Sequence, residues 1–233
     1  VFNMASGEVL WEVGRGEGPG WLVQPTGVAF NARGELFVSD FGSHRIVAYD
    51  RDGGFVRAFG SMGSGERQFN QPQGLAFTAD GHLAVADTGN HRVQVVGEDG
   101  TFVRSIGSEG RGEGEFRRPV DVCVDGSGMV AVADYGNDRV QVLDGEGRFV
   151  RAIGSRGDGP GQFRGVLSVA FGIGGEILAT DYARGDVQVF SGEGDLVQTI
   201  LRERERVDLG KPAEVCIDGE GRVFVGTWDT ILV

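Results

Sequence analysis

The chain has 233 residues, 40% of them hydrophobic and 42 of them glycine, with a formal net charge of −12. That length buries a substantial core within one all-β domain, and glycine at this level without a collagen period is spent on many tight turns. The negative charge argues against a nucleic-acid binder that works by bulk electrostatics, two cysteines are too few for a disulfide framework, and no apolar run is long enough for a membrane helix.

The first predicted element is a lone strand in GEVLWEVG, residues 7–14. A complete unit follows, in which four apolar runs, GVAF, ELFVSD, RIVAYD and FVRAF, are separated by Asp/Gly/Asn turns and read as antiparallel strands, here a to d. The unit restarts at Pro72 (PQGLAFTADGHLA), at Pro119 (PVDVCVDGSGMVA), at Val166 (VLSVAFGIGGEIL, without the proline) and at Pro212 (PAEVCIDGEGRVF). In the last unit GRVFVGTWDTILV supplies strands b and c. Asp40, Asp87, Asp134 and Asp181 recur at 47-residue intervals in VSDFGSHRIVAYD, VADTGNHRVQVVG, VADYGNDRVQVLD and ATDYARGDVQVFS. About five such repeats predict an all-β fold, a β-propeller of four-stranded antiparallel blades, because radial repetition leaves only short sheet edges.

Columns through the units assign most side chains to construction. Ala29, Ala76, Cys123, Ala170 and Cys216 form a small-residue column in strand a, where blades converge, and cysteines two blades apart lie beyond disulfide reach. Leu22, Phe69, Phe116, Phe163 and Leu209 precede strand a as plugs between blades, each phenylalanine worth roughly 3–5 kcal/mol on truncation. Arg57, Arg104 and Arg151 stand in strand d, where charge discourages edge pairing.

The stretch DTGNHR, residues 87–92, carries enough polar chemistry for a catalytic or metal-binding loop, but its recurrence makes it scaffold. Its aspartate caps turn amides and pairs with the arginine five residues on. His44 and His91 share one column and His82 lies at the opposite end of a blade, so no three-histidine metal site forms and no cofactor is expected. No Ser/His/Asp or Cys/His set converges either, and the chain reads as non-catalytic.

The column after the aspartate is Phe41, Thr88, Tyr135, Tyr182 and, across a shortened last loop, Trp228. Propeller connectivity sends the b–c and d–a loops to one face, so these side chains crown the channel there. Two residues past the proline position stand Gly27, Gly74, Asp121, Ser168 and Glu214, which brings two acids to the channel mouth. Phe41, Tyr135, Tyr182, Trp228, Asp121 and Glu214 are thus the expected ligand-binding residues, for a protein or peptide. Arg117, Arg118, Arg164 and Arg184, in or near loops of this face, offer contacts to RNA or another anion, a reading that net acidity weighs against. RERERV, 202–207, replaces the glycine-rich d–a loop of the other units.

These units resemble the NHL-repeat family, with its P-x-G-V-A start, its V-x-D-x-x-N-H-R-I-Q-V-F middle and its G-x-F-x-x-x-F-G-S-x-G-x-G-x-G-Q-F end. Residues 72–116 carry the pattern nearly end to end. The resemblance implies a propeller, usually of six blades and often attached to other domains, such as ubiquitin-ligase modules and receptor kinases. It also implies RNA binding in some members and, in a relative, a metal-dependent lyase acting on α-hydroxyglycine peptides through histidine-bound zinc, a ligand set this chain lacks. Just under five units fit here, so two arrangements stay open: a five-bladed ring whose last blade is shared between the N- and C-terminal strands, and a truncated six-bladed ring. Val1 in place of methionine fits a processed chain or a domain cut from a larger multidomain protein.

Overall fold

A computed structural model describes residues 9, 11–201, 211–227 and 231–232. Blade one is β1 (Pro25–Phe30), β2 (Leu36–Asp40), β3 (Arg45–Tyr49) and β4 (Phe55–Phe59); blade two is β5 (Pro72–Phe77), β6 (Leu83–Asp87), β7 (Arg92–Val96) and β8 (Phe102–Ile106). Blade three is β9 (Pro119–Val124), β10 (Val130–Asp134), β11 (Arg139–Leu143) and β12 (Phe149–Ile153), and blade four is β13 (Val166–Phe171), β14 (Ile177–Asp181), β15 (Asp186–Phe190) and β16 (Leu196–Leu201). A fifth sheet holds β17 (Glu214–Ile217), β18 (Val223–Gly226) and β19 (Ile231–Leu232). Every sheet is an antiparallel meander in chain order, so the chain is an all-β propeller of four-stranded blades, as its repeats predict. Among the described residues no helix is long and apolar enough to cross a membrane.

Local chemistry fixes each unit. Proline opens β1, β5 and β9, the strand position where its missing N–H costs least. The a–b turns close on a glycine column, Gly34, Gly81, Gly128, Gly175 and Gly221, all at positive φ, a conformation that a Cβ would strain. Strand b is buried along its whole length in blades one to four, because both faces of each sheet meet a neighbour.

The first strands β1, β5, β9, β13 and β17 pack successively around one axis. Within each junction, one blade's small-residue face receives the next blade's larger side chains: Ala29 and Phe37 meet Leu75, Leu83 and Val85. Phe69, Phe116 and Phe163 are fully buried between blades, as the plug column requires. Each also makes a parallel bridge to its own loop, Met62 to Phe69, Glu109 to Phe116 and Arg156 to Phe163.

The two ends of the arc differ from the junctions inside it. Val28 is 61% exposed, whereas its counterparts Leu75, Val122, Val169 and Val215 are 7% exposed or less. Phe30 is likewise exposed, and the outer part of that blade face is covered instead by Trp11 and Val13 packing near Leu36, Val38, Val47 and Tyr49. At the other end Cys216 is exposed, while Cys123 in its column is partly buried. Among the described residues β17 does not pack against β1 as the other neighbouring first strands do. The expected sharing of the last blade between the chain ends falls on residues 1–8, 10, 228–230 and 233, which lie outside the described residues, and the described residues 11–14 of GEVLWEVG are not in a strand.

Candidate functional site

The recurring polar set is a loop clamp. Asp87, fully buried at the end of β6, accepts hydrogen bonds from the Asn70 amide (2.7 Å), Asn90 Nδ2 (2.9 Å), Arg92 Nε (2.8 Å) and Gln94 Nε2 (3.1 Å). Asp134 repeats this with the Arg117 amide, Asn137, Arg139 and Gln141. Each arginine then donates onward to the incoming d–a loop, Arg92 to the Gly65 and Gln68 carbonyls and Arg139 to those of Gly112 and Glu115. His44 and His91 hold left-handed backbone at φ 55° and 56°, and their Nδ1 atoms accept the Gln71 and Arg118 amides of the next blade at 3.0 and 2.9 Å. These groups are occupied in construction.

Unit four rearranges the clamp without losing it. Asp186 stands where the other units have arginine, yet Arg184 reaches the Gly159 and Gln162 carbonyls, the counterparts of those held by Arg92 and Arg139, and pairs with Asp186 at 2.8 Å. Arg184 is therefore committed internally rather than offered to RNA. Arg117, Arg118 and Arg164 are exposed on the loop face, Arg164 pairing with Asp158 at 2.5 Å.

The column after the aspartate is placed on the loop face by 3-10 turns such as Phe41–Ser43 and Tyr135–Asn137. Phe41, Tyr135 and Tyr182 are half-buried there, while Thr88 is buried and donates to the Pro119 carbonyl of the next blade at 2.7 Å. Tyr135 leans on Gly165 of blade four and carries the Arg118 guanidinium 5.7 Å from its ring centre. The Lys211 ammonium lies 4.9 Å from the Tyr182 ring centre, a cap that sequence reasoning missed because Lys211 precedes the last unit's first strand. Trp228 and the RERERV stretch lie outside the described residues.

Inside the crown opens an axial cavity of about 280 Å³, to which all five first strands contribute. An extra residue in strand a disturbs the pairing in each of the four complete blades, between Pro25 and Val28, between Pro72 and Leu75, opposite Ala133 and Asp134, and between Val166 and Val169. Such bulges shift the strand register, and beside them Gly27, Gly74, Asp121 and Ser168 face the first strand of the next blade. At Gly74 a Cβ would collide with Asp121, so the glycine allows the acid its place.

Asp121 and Glu214 meet through Ser168. The Ser168 hydroxyl donates to Asp121 Oδ2 at 2.8 Å and accepts the Val215 amide at 3.1 Å, and it also contacts the Glu214 side chain. Asp121 further accepts the Val169 amide on Oδ2 (2.9 Å) and the Val122 amide on Oδ1 (2.8 Å). Burial pushes the Asp121 carboxyl above the usual range against these three donors. Glu214 is raised by loss of hydration and then by the Asp121 charge. Among the described residues no three His, Cys, Asp or Glu side chains gather as metal ligands, and the three histidines stay apart.

The family model of the NHL repeat matches residues 22–49, 69–96 and 116–143, three consecutive units in the same register. This is an NHL-repeat protein. A 49-residue stretch is 39% identical to Protein brain tumor of Drosophila melanogaster, covering 21% of this chain and 5% of that protein. Among solved structures, the NHL-repeat arc resembles virginiamycin B lyase from Staphylococcus aureus (TM-score 0.63, 10% identity, 87% of this chain and 62% of that one). It also resembles a chain of the nidogen/laminin complex (TM-score 0.69, 16% identity, 88% and 73%). A gluconolactonase from Xanthomonas campestris is similar too (TM-score 0.67, 16% identity, 88% and 70%). At these identities the likeness is one of fold, shared by enzymes and binding proteins alike.

Proposed function

We propose that this NHL-repeat propeller is a non-catalytic recognition module that takes a protein or peptide on the face carrying the b–c and d–a loops. The observation that carries the reading is a pair of half-buried rings on the loop face, Tyr135 and Tyr182, each under a cation, together with an axial cavity lined in part by Asp121 and Glu214. Amphipathic rings that keep one face in water supply contact area at low entropy cost, while the polar groups at the mouth set orientation. The Asp/Asn/Arg/Gln sets that resemble catalytic machinery are consumed in holding loops, and the crown is the surface that meets a partner. Phe41 and, beyond the described residues, Trp228 belong to the same proposed surface. The module works as one part of a longer protein, as the 5% share of the brain tumor protein suggests by analogy.

The test is retention of binding proteins by the immobilised chain and by a Tyr135→Ala/Tyr182→Ala variant, with and without ribonuclease. Proteins held by the parent chain, lost from the variant and indifferent to ribonuclease support the reading, provided that the purified partner slows hydrogen exchange at residues 41–44, 135–138 and 182–185. Retention that ribonuclease abolishes replaces it with RNA binding through Arg117, Arg118 and Arg164. Equal retention by both forms makes the crown scaffold.

A further inference from the structure

We infer that the axial cavity is the socket for one basic side chain of the partner, an arginine or lysine whose charged head sits between Asp121 and Glu214. The inference rests on the recognition reading above and adds the chemistry of the anchor.

The hydrogen count at the floor of the cavity is the first support. Ser168 has one hydroxyl hydrogen; it accepts the Val215 amide, so that hydrogen can serve either Asp121 or Glu214 and not both. With the hydroxyl and two backbone amides serving Asp121, an ionised Glu214 keeps acceptor capacity that a proton or a cationic N–H donor must fill. Among the described residues neither acid forms an ion pair with an arginine, lysine or histidine, although most carboxylates on this face have such a partner. A guanidinium or ammonium supplies several donors at once and restores charge balance in a site where burial makes unpaired charge costly.

The walls match the rest of such a side chain. Leu75, Val120 and Leu167 line the cavity beside the acids, so the methylene stem of an arginine or lysine packs on apolar surface while its head reaches the floor. Among the described residues no cation lines the cavity, and Arg118 and Lys211 lie over Tyr135 and Tyr182 instead. Loss of hydration raises both carboxyls above their ordinary range, and the charge of an incoming cation works against that shift.

The experiment is a titration of the purified chain with an acetylated, amidated tripeptide having a central arginine, and with its citrulline analogue, read by backbone amide NMR shifts. The expected result is saturable shifts at Gly74, Val122, Val169 and Val215 with the arginine peptide, at least tenfold weaker with citrulline and with the Glu214→Gln variant. Glu214 is open to solvent, so this variant keeps the fold even where Asp121→Asn does not, and its unperturbed spectrum checks that. Equal shifts by both peptides, shifts confined to the rim, or no binding overturn the inference. Partner retention that depends on Tyr135 and Tyr182 but survives Glu214→Gln sinks the socket and leaves the recognition reading standing. A chain that retains no partner yet binds the arginine peptide does the reverse.

Discussion

Asp134→Ala offers a sharp test of the clamp reading. The carboxylate is fully buried and holds four donors, the Arg117 amide at 2.7 Å, Asn137 Nδ2 at 2.8 Å, Arg139 Nε at 2.9 Å and Gln141 Nε2 at 3.3 Å. Its loss leaves the Arg139 guanidinium, with 15% of the side chain exposed, lacking its counter-ion. Breaking a buried pair in this way costs about 3–5 kcal/mol. Arg139 and Gln141 keep their bonds to loop carbonyls, which sets the expectation toward the lower end, about 3 kcal/mol. Asp40→Ala is the internal control. There the Arg45 Nε lies at 3.4 Å, and Val47 occupies the position of Gln94 and Gln141, so the same truncation removes two amide bonds and a looser ion pair. About half the cost follows, on the order of 1.5 kcal/mol. Urea unfolding followed by far-ultraviolet circular dichroism measures both. Equal costs, or a loss below about 1 kcal/mol at Asp134, would refute the claim that the aspartate column carries the loops.

Two further outcomes concern the axis and the thiols. Because Asp121 and Glu214 are held above their unfolded values, ionising them opposes folding: the stability they contribute is complete below the ordinary carboxylate range and is lost as pH rises from that range, the Asp121 share by about 6 and the Glu214 share by about 8. The groups facing the pair, Ser168, Cys123 and Cys216, do not reverse that sign. Unfolding midpoints should therefore fall across this window in the parent chain and flatten in Asp121→Asn/Glu214→Gln; parallel profiles would contradict it. Cys216 is exposed, while burial and then the Asp121 charge push the Cys123 thiol well above its usual value. An aromatic disulfide reagent should label Cys216 first, about tenfold faster or more, and a Cys216→Ser variant that labels as fast as the parent would contradict that order.

The 47-residue period was readable because each blade repeats one solution to the same packing problem, with proline, small residue, aspartate and phenylalanine at fixed offsets. The structural role of Asp87 and Arg92 was readable for the same reason. What recurrence could not show was compensation. Asp186 stands in the arginine column, and Arg184 regains the same carbonyls from two residues earlier, which depends on side-chain reach rather than spacing. Thr88 belonged to the crown by column and proves buried, since its hydroxyl finds the Pro119 carbonyl. The departures from glycine at Asp121 and Glu214 were visible in the sequence; the Ser168 hydroxyl they share was not, because it comes from the blade between them.

The strand-a bulge has a consequence for how such a protein diversifies. In blades one to four it shifts the strand-a register by one residue, and the residue beside it meets the first strand of the next blade while the ladder behind keeps its pairing. In this chain the series runs Gly27, Gly74, Asp121, Ser168 and Glu214. Gly27 and Gly74 cannot carry a Cβ without meeting the next blade's backbone, so variety at this seam is left to Asp121, Ser168 and Glu214.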